Sequence, residues 1–390
     1  MIALQLIFWI GLFLVLYTYW FFPLILKALA GQRSIRARSY EPEELPVISV
    51  LMAAYNEEKV IDEKIGTVLR SSYPEGKMEI LVGSDASTDR TNEILEKRRK
   101  SCPAMKLFLF ETRTGKPGII NRLASEARGE ILVITDANVM LEQDTLFELV
   151  RFFKEESISL VDSRMISTGV REGGISLQEQ YYSSREVRVK HCESVLWGSM
   201  MGPSGGCYAV RKSAYTPVPD RLLVDDFFIN MSVLAQGASC ISNLQARARE
   251  DVSNSSREEF RRKKRISAGN YQNLFRFLFL LFRGRKGVGF CFLSHKLIRW
   301  LVPFLAMGTL SASLLLGRTS LPYFLAFLLQ FLLLLSPVID HILRKIRIQS
   351  LPLHFISHFV LMNMAMLAGF FRFAGGIKSN VWQPTKRYQD

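Results

Sequence analysis

From residue 1 to residue 26 no side chain carries a charge. A helix needs about 20 consecutive apolar residues to cross a bilayer core, and residues 7–26 alone supply that length. The segment therefore reads as a membrane-spanning helix. Ala28-Leu29-Ala30 imitates the cleavage site of a secretory leader, but the apolar stretch is too long for one and no basic region precedes it. Arg33, Arg36 and Arg38 follow at once, and basic flanks mark the cytoplasmic side. Three more uncharged runs close the chain, at residues 300–317, 319–339 and 351–371. They lack the polar face at helical period that a buried helix of a soluble domain would show, so they read as a membrane bundle. Arg344, Lys345 and Arg347 mark the last loop as cytoplasmic. Four spans from an outside N-terminus would leave the tail outside, whereas Arg372, Lys378, Lys386 and Arg387 ask for the inside. Either one apolar segment lies in the interface or the number of crossings differs. Residues 271–282, YQNLFRFLFLLF between basic flanks, have the character of an interfacial amphipathic helix.

Composition narrows the function classes. A hydrophobic content of 48% with 27 Phe in 390 residues excludes a disordered, collagenous or wholly soluble chain. Fifty Lys plus Arg against 36 Asp plus Glu leave a net charge of +14, which suits nucleic acid, an anionic membrane surface or phosphorylated small molecules. The charge gathers beside the apolar segments without interleaved exposed aromatics, which argues against nucleic acid. The five cysteines, Cys102, Cys192, Cys207, Cys240 and Cys291, form no CxxC pair and read as reduced, mostly buried thiols. The histidines show no metal-ligand spacing and read as structural.

Between the apolar ends the pattern changes to short β-branched runs separated by amphipathic stretches. Residues 47–52, 79–84, 106–110 and 131–135 read as buried strands, and residues 57–70, 89–100 and 117–127 as helices, which predicts an α/β domain with a mainly parallel sheet. The chain then divides into an N-terminal helix (1–30), a basic linker (31–45), the α/β domain (46–270), an interfacial segment (271–295), C-terminal helices (296–374) and a basic tail (375–390).

Ligands sit at the carboxyl ends of parallel strands. There the sequence places Ala54, Tyr55, Asn56 and Glu57, then Asp85, then Asp136 and Asn138. No GxGxxG follows the first strand and no GxxxxGK[ST] occurs, so neither a dinucleotide fold nor a P-loop is expected. Asp85 fits a helix cap and Asp136 and Asn138 fit a loop brace when each is taken singly. Together, in this order, they suit a cation and the polar groups of a nucleotide.

Seven segments carry a resemblance: VISVLMAAYNEE (47–58), EILVGSDASTDRT (79–91), GKPGIIN (115–121), ILVITDAN (131–138), GPSGGCYAVRKS (202–213), LLVDDF (222–227) and RRKKRISAGN (261–270). In order and spacing the chain resembles the inverting membrane glycosyltransferases of family 2, the group of cellulose, hyaluronan and chitin-oligosaccharide synthases. The resemblance implies a GT-A-type nucleotide-sugar-binding domain inserted between N-terminal and C-terminal transmembrane helices. It implies that Ala54, Tyr55, Glu57 and Asp85 hold the nucleotide, that Lys116 lies near phosphate, and that Asp136 and Asn138 carry Mg²⁺ or Mn²⁺. Asn138 offers only a neutral oxygen, so the donor diphosphate must complete the metal shell.

By the same resemblance Asp226 is the general base, with Asp225 its neighbour. Two carboxylates opening a helix also suit the helix dipole as a plain cap, but that reading leaves the domain without a base. The run Arg261-Arg262-Lys263-Lys264-Arg265-Ile266 stands where relatives carry Gln-x-x-Arg-Trp, which points to Arg262 and Arg265 for the diphosphate. Part of this basic run also suits anionic headgroups. Ile266 removes the usual aromatic platform for the acceptor sugar. Trp197, beside Gly205 and Gly206 in sequence, or Trp382 is expected to replace it, and Trp197 equally suits the core.

The whole implies a transferase of polysaccharide or glycolipid biosynthesis, moving a hexose with inversion from a UDP-sugar to a glycan or lipid-linked acceptor. Its expected place is the bacterial inner membrane, with the domain in the cytoplasm, lipids as partners and no nucleic acid. The alternative is a transporter or nucleotide sensor without transferase activity, which the lack of charged residues inside the late apolar runs disfavours.

Overall fold

The computed structural model describes residues 1–74, 76–170, 175–253, 255–284 and 287–381. Trp382, Lys386 and Arg387 lie outside the described residues. In chain order, helices α1 (Ile2–Leu16) and α2 (Phe22–Ala30) are joined by a π turn at Tyr17–Phe21. Strand β1 (Ile48–Ala54), helix α3 (Ile61–Leu69), β2 (Met78–Asp85), α4 (Thr91–Ser101), β3 (Met105–Phe110), α5 (Lys116–Glu126) and β4 (Ile131–Asp136) then alternate. After them come β5 (Val139–Leu141), α6 (Thr145–Val150), β6 (Ile158–Thr168), α7 (Ser176–Trp197), β7 (Cys207–Arg211), α8 (Asp225–Ala235) and β8 (Ser239–Asp251). The chain closes with α9 (Ser256–Phe277), α10 (Leu280–Arg283), α11 (Val288–Cys291), a π turn at Phe292–Leu297, α12 (Ile298–Leu316), α13 (Leu321–Lys345) and α14 (Leu351–Ala374).

One sheet of eight strands, in the order β3-β2-β1-β4-β7-β6-β8-β5, organises the domain. β1 pairs in parallel with β2 and β4, and β2 with β3, as the strand-helix alternation requires. β7 runs antiparallel to both β4 and β6, and β5 antiparallel to β8, so the sheet is mixed rather than mainly parallel. The second half was hidden because its strands do not alternate with short crossover helices: the 22-residue α7 separates β6 from β7.

Side chains of β1 point alternately to the two faces. Leu51 and Ala53 enter a core with Ile119 and Leu123 of α5, Phe227 and Phe228 of α8, and Phe292 and Trp300 from the C-terminal helices. Val50 and Met52 enter a second core with Ile61 and Ile65 of α3 and Leu95 of α4. One face of the sheet therefore rests on the apolar helices, and the other is covered by helices of the α/β domain.

Four helical stretches are long and apolar enough to cross a membrane by length and composition: Ile2–Ala30, Val288–Leu316, Leu321–Lys345 and Leu351–Ala374. They also hold buried polar pairs that the uncharged runs did not show. Asp340 of α13 pairs with His354 of α14 and with Arg344, at 3.1 Å for the latter. Asp340 begins just beyond the uncharged run, which is why the runs looked free of ionisable groups. The last helix does not stand apart from the domain. His358 bonds Glu179 of α7 at 3.0 Å, Ser267 Oγ of α9 donates to Met366 O at 2.8 Å, and Phe373 stacks on Phe275 of α9 at 5.6 Å. α14 thus lies along the underside of the domain from near its start to its end. The five cysteines are free, four of them buried.

Candidate active site

A cleft of about 1340 Å³ opens at the carboxyl edge of the parallel strands. β4 delivers Asp136 to its floor, and Asp136 N donates to Gly206 O at 2.9 Å, tying the Asp136-Ala137-Asn138 turn to the glycine loop before β7. Opposite stand Asp225 and Asp226, the first residues of α8. Between them lies Lys116, which opens α5 behind Gly115. Its Nζ is 2.7 Å from Asp136 Oδ1 and 3.8 Å from Asp225 Oδ2. Burial disfavours the Lys116 ammonium, yet Asp136, Asp225 and Asp226 together hold its pKa above the ordinary value.

Asp226 is the perturbed acid. Burial pushes its carboxyl up to about 7, with the charge of Asp225 adding, while Lys116 and the Phe227 N–H oppose. Phe227 N donates to Asp226 Oδ1 at 2.7 Å, so one oxygen is oriented by the backbone. The other faces Gly205, where φ is +82° and a Cβ would lie 2.5 Å from Asp226 Oδ2. Only glycine fits there, because of both the backbone angle and the carboxylate. From α9, Arg262, Arg265 and Ile266 also line the cleft. Burial pulls the Arg265 guanidinium below its ordinary range against the attraction of Asp225 and Asp136, whereas Arg262 is paired with Glu259 at 3.2 Å.

The nucleotide candidates divide. Glu57 lines the cleft. Ala54 and Asp85 are fully buried behind its wall. The Asp85 carboxylate accepts from Thr114 N at 2.6 Å and from Arg113 Nε at 3.0 Å, and so fastens the loop that launches α5. Arg113 in turn lies 3.2 Å over the Tyr55 ring. Residues 55, 85 and 113 form one packed unit at the edge of the cleft. Arg113 was not singled out in the sequence, although it stands three residues before Lys116.

On the acceptor side, Gly205 and Gly206 line the cleft and Trp197 does not. Trp197 ends α7 and packs edge-on against Phe290 at 5.8 Å. The wall near Asp226 is instead apolar and aliphatic, formed by Leu222, Leu223, Val224 and Ile266. Asn380, six residues beyond α14, also lines the cleft, and no sequence signal pointed to it.

The donor set fits a hard divalent cation in part. Asp136 supplies a carboxylate, and the Asn138 amide beside it is buried, with Nδ2 lacking a hydrogen-bond partner among the described residues. No group of three or more His, Cys, Asp or Glu side chains able to hold a metal is assembled among the described residues. Phosphate oxygens must therefore complete any shell.

Residues 49–216 match glycosyl transferase family 2. Over 142 residues the chain is 32% identical to the beta-monoglucosyldiacylglycerol synthase of Nostoc sp., covering 35% of this chain and 30% of that protein. Over 137 residues it is 31% identical to the poly-beta-1,6-N-acetyl-D-glucosamine synthase of Staphylococcus epidermidis, covering 35% and 32%. The chain thus spans about a third of the length of these curated relatives. Among solved structures it is similar to a mannosyltransferase from Pyrobaculum calidifontis in complex with GDP-Man and Mn2+, with a TM-score of 0.70, 18% identity, and coverage of 94% of this chain and 99% of that one. That likeness extends over the flanking helices and shows the fold, a GT-A-like mixed sheet. The chain carries a glycosyl transferase family 2 domain.

Proposed function

We propose that this chain is a membrane glycosyltransferase that moves a sugar with inversion from a UDP-sugar to a glycan or lipid-linked acceptor. The observation that carries this reading is the cleft itself, where a carboxyl with a pKa of about 7 faces a second carboxylate across a lysine. A general base is most effective when its pKa lies near the working pH.

In the proposed reaction Asp226 accepts the proton of an acceptor hydroxyl as that oxygen bonds to the anomeric carbon. The bond from the anomeric carbon to the diphosphate breaks on the opposite face, which inverts the centre. Lys116, Arg265 and Arg262 neutralise charge gathering on the leaving diphosphate, as cations and guanidinium groups do for transferring phosphates. Asp136 and Asn138 would hold Mg²⁺ or Mn²⁺, whose charge adds to that neutralisation. Asp225 keeps Lys116 turned toward the cleft and, through its own charge, keeps Asp226 basic. The packed unit of Tyr55, Asp85 and Arg113 shapes the nucleotide end, with Glu57 facing the ligand.

The aliphatic wall of Leu222, Leu223, Val224 and Ile266 suits a lipid-linked acceptor with short or single additions, since no aromatic ring is offered to a growing glycan. The domain faces the cytoplasm of a bacterial inner membrane in this reading, in line with Arg33, Arg36 and Arg38. Asn380 in the cleft brings the chain after α14 back to the domain's side. Three crossings with α14 laid in the interface then satisfy both the span count and the basic tail.

The test is transfer by the purified full-length chain, given each common nucleotide sugar with Mn²⁺ and membrane lipid extract, and mass spectrometry of the product. A glycosylated lipid or oligosaccharide supports the reading. Nucleotide binding with neither transfer nor donor hydrolysis would move the chain to the transporter or sensor class.

A further inference from the structure

α3 contributes nothing to the cleft-facing motifs, yet it carries the most costly side chain in the domain core. Lys64 is fully buried. Among the described residues no carboxylate pairs with it, so its ammonium is desolvated without a counter-charge. Burial accordingly pulls the Lys64 pKa down to about 8, against the attraction of Cys207 and Asp136. A methionine would fill the same volume without that penalty.

What the ammonium does is legible in its two acceptors. Nζ donates to Thr135 Oγ1 at 2.8 Å and to Val139 O. These residues stand immediately before and after Asp136-Ala137-Asn138, so one side chain grips both ends of the turn. Thr135 Oγ1 spends its own proton on Gly206 O at 3.1 Å, which leaves its lone pair for Lys64. Gly206 O also accepts from Asp136 N at 2.9 Å. The hydrogen-bond chain therefore runs from Lys64 through Thr135 to the glycine loop that faces Asp226. One turn later on α3, Thr67 Oγ1 accepts from Leu141 N at 3.3 Å and holds β5 in register.

Resting on the donor-site reading above, we propose that Lys64 is a positioning residue. It sets the Asp136-Ala137-Asn138 turn for a metal-bound nucleoside diphosphate, and through Thr135 and Gly206 it couples that turn to the loop beside Asp226. The side chain touches no ligand. It acts by holding Asp136 and Asn138 at the spacing their shared cation requires, where small misplacements are costly.

The test uses the full-length chain in nanodiscs and titrates UDP, with GDP in parallel, with and without Mn²⁺ by calorimetry. Lys64→Met is expected to weaken Mn²⁺-dependent nucleotide binding at least tenfold. Metal-independent binding should stay within twofold and the melting temperature should not fall, because a buried unpaired charge has been removed. Thr135→Val, which deletes one acceptor at constant shape, should shift binding in the same direction by a smaller factor, and Thr135→Ser should restore it. Metal-dependent binding within twofold of wild type in both variants overturns the proposal. So does a parallel loss of both kinds of binding with unfolding in Thr135→Val, which would make the cluster structural only. If Lys64→Met fails to fold, the two Thr135 variants decide. A wild type without Mn²⁺-dependent binding of either nucleotide sinks the donor-site reading, and this proposal with it.

Discussion

The two halves of the cleft are built differently. The donor half takes Glu57, Lys116, Asp136 and Asn138 from a stretch in which every strand pairs in parallel with a near neighbour in sequence. The half that holds Asp226 is braced from far along the chain. Phe227 packs edge-on against Trp300 at 5.5 Å, Asn273 Nδ2 donates to Val224 O at 3.1 Å, and Gln272 Oε1 accepts from Leu223 N at 3.1 Å. A nucleotide site can thus form within the α/β layers alone, whereas the base is placed by helices that reach the membrane. Damage to the apolar helices should be felt at the base before it is felt at the nucleotide.

The strongest way to break this comparison is in the donor half. Asp136→Ala removes the charged ligand of the proposed metal, and transfer should drop to background, a loss of roughly 10³-fold or more. Excess EDTA should act likewise on the wild type, reversibly. Full activity in EDTA would end the metal assignment.

Asp226→Asn keeps the shape but not the basicity, so turnover should fall by roughly 10² to 10⁴ while nucleotide binding persists. Asp225→Asn should cost less, and a reversal of the two would exchange their roles. In the wild type the rate should climb as pH rises through about 7, since the Asp226 carboxyl must lose its proton to act. Stability runs the other way. The folded-state pKa lies above the ordinary 3.8, so the proton favours folding at low pH and that contribution is lost between about pH 4 and 7. Above pH 7, Asp226→Asn should therefore melt a few degrees higher than the wild type in calorimetry.

Trp300→Ala sharpens the contrast from the membrane side. Removing a buried Trp costs about 3 to 5 kcal/mol, so the melting point should fall. Turnover per folded molecule should fall roughly tenfold while Mn²⁺-dependent nucleotide affinity stays near wild type, because only the Phe227 contact under α8 is lost. Equal losses in both would show the halves to be one unit.

The smallest effect concerns product length. An aromatic face contributes roughly 0.5 to 1.5 kcal/mol beyond area burial, and about 1.4 kcal/mol is tenfold. Ile266→Trp should therefore hold an acceptor sugar up to about tenfold more tightly, read as longer products in a single-turnover chase. Long chains made by the wild type itself would refute the preference for short additions.

The sequence by itself determined the elements whose signals are local. Uncharged length marks the apolar helices, β-branched runs followed by helical periods mark β1 to β4, and strand ends single out Asp136. Asp225 and Asp226 were legible as the opening of a helix, which α8 confirms. Only the tertiary structure decided which side chains meet. It put Lys116 between Asp136 and Asp225, sent Trp197 to Phe290 rather than to the acceptor wall, buried Asp85 behind the α5 loop, and brought Asn380 back into the cleft. It also set the mixed half of the sheet and the grip of Lys64 on the metal turn. The reason is physical: periodicity and charge act over a few neighbouring residues, while convergence at a cleft depends on strand order and on packing between segments a hundred or more residues apart.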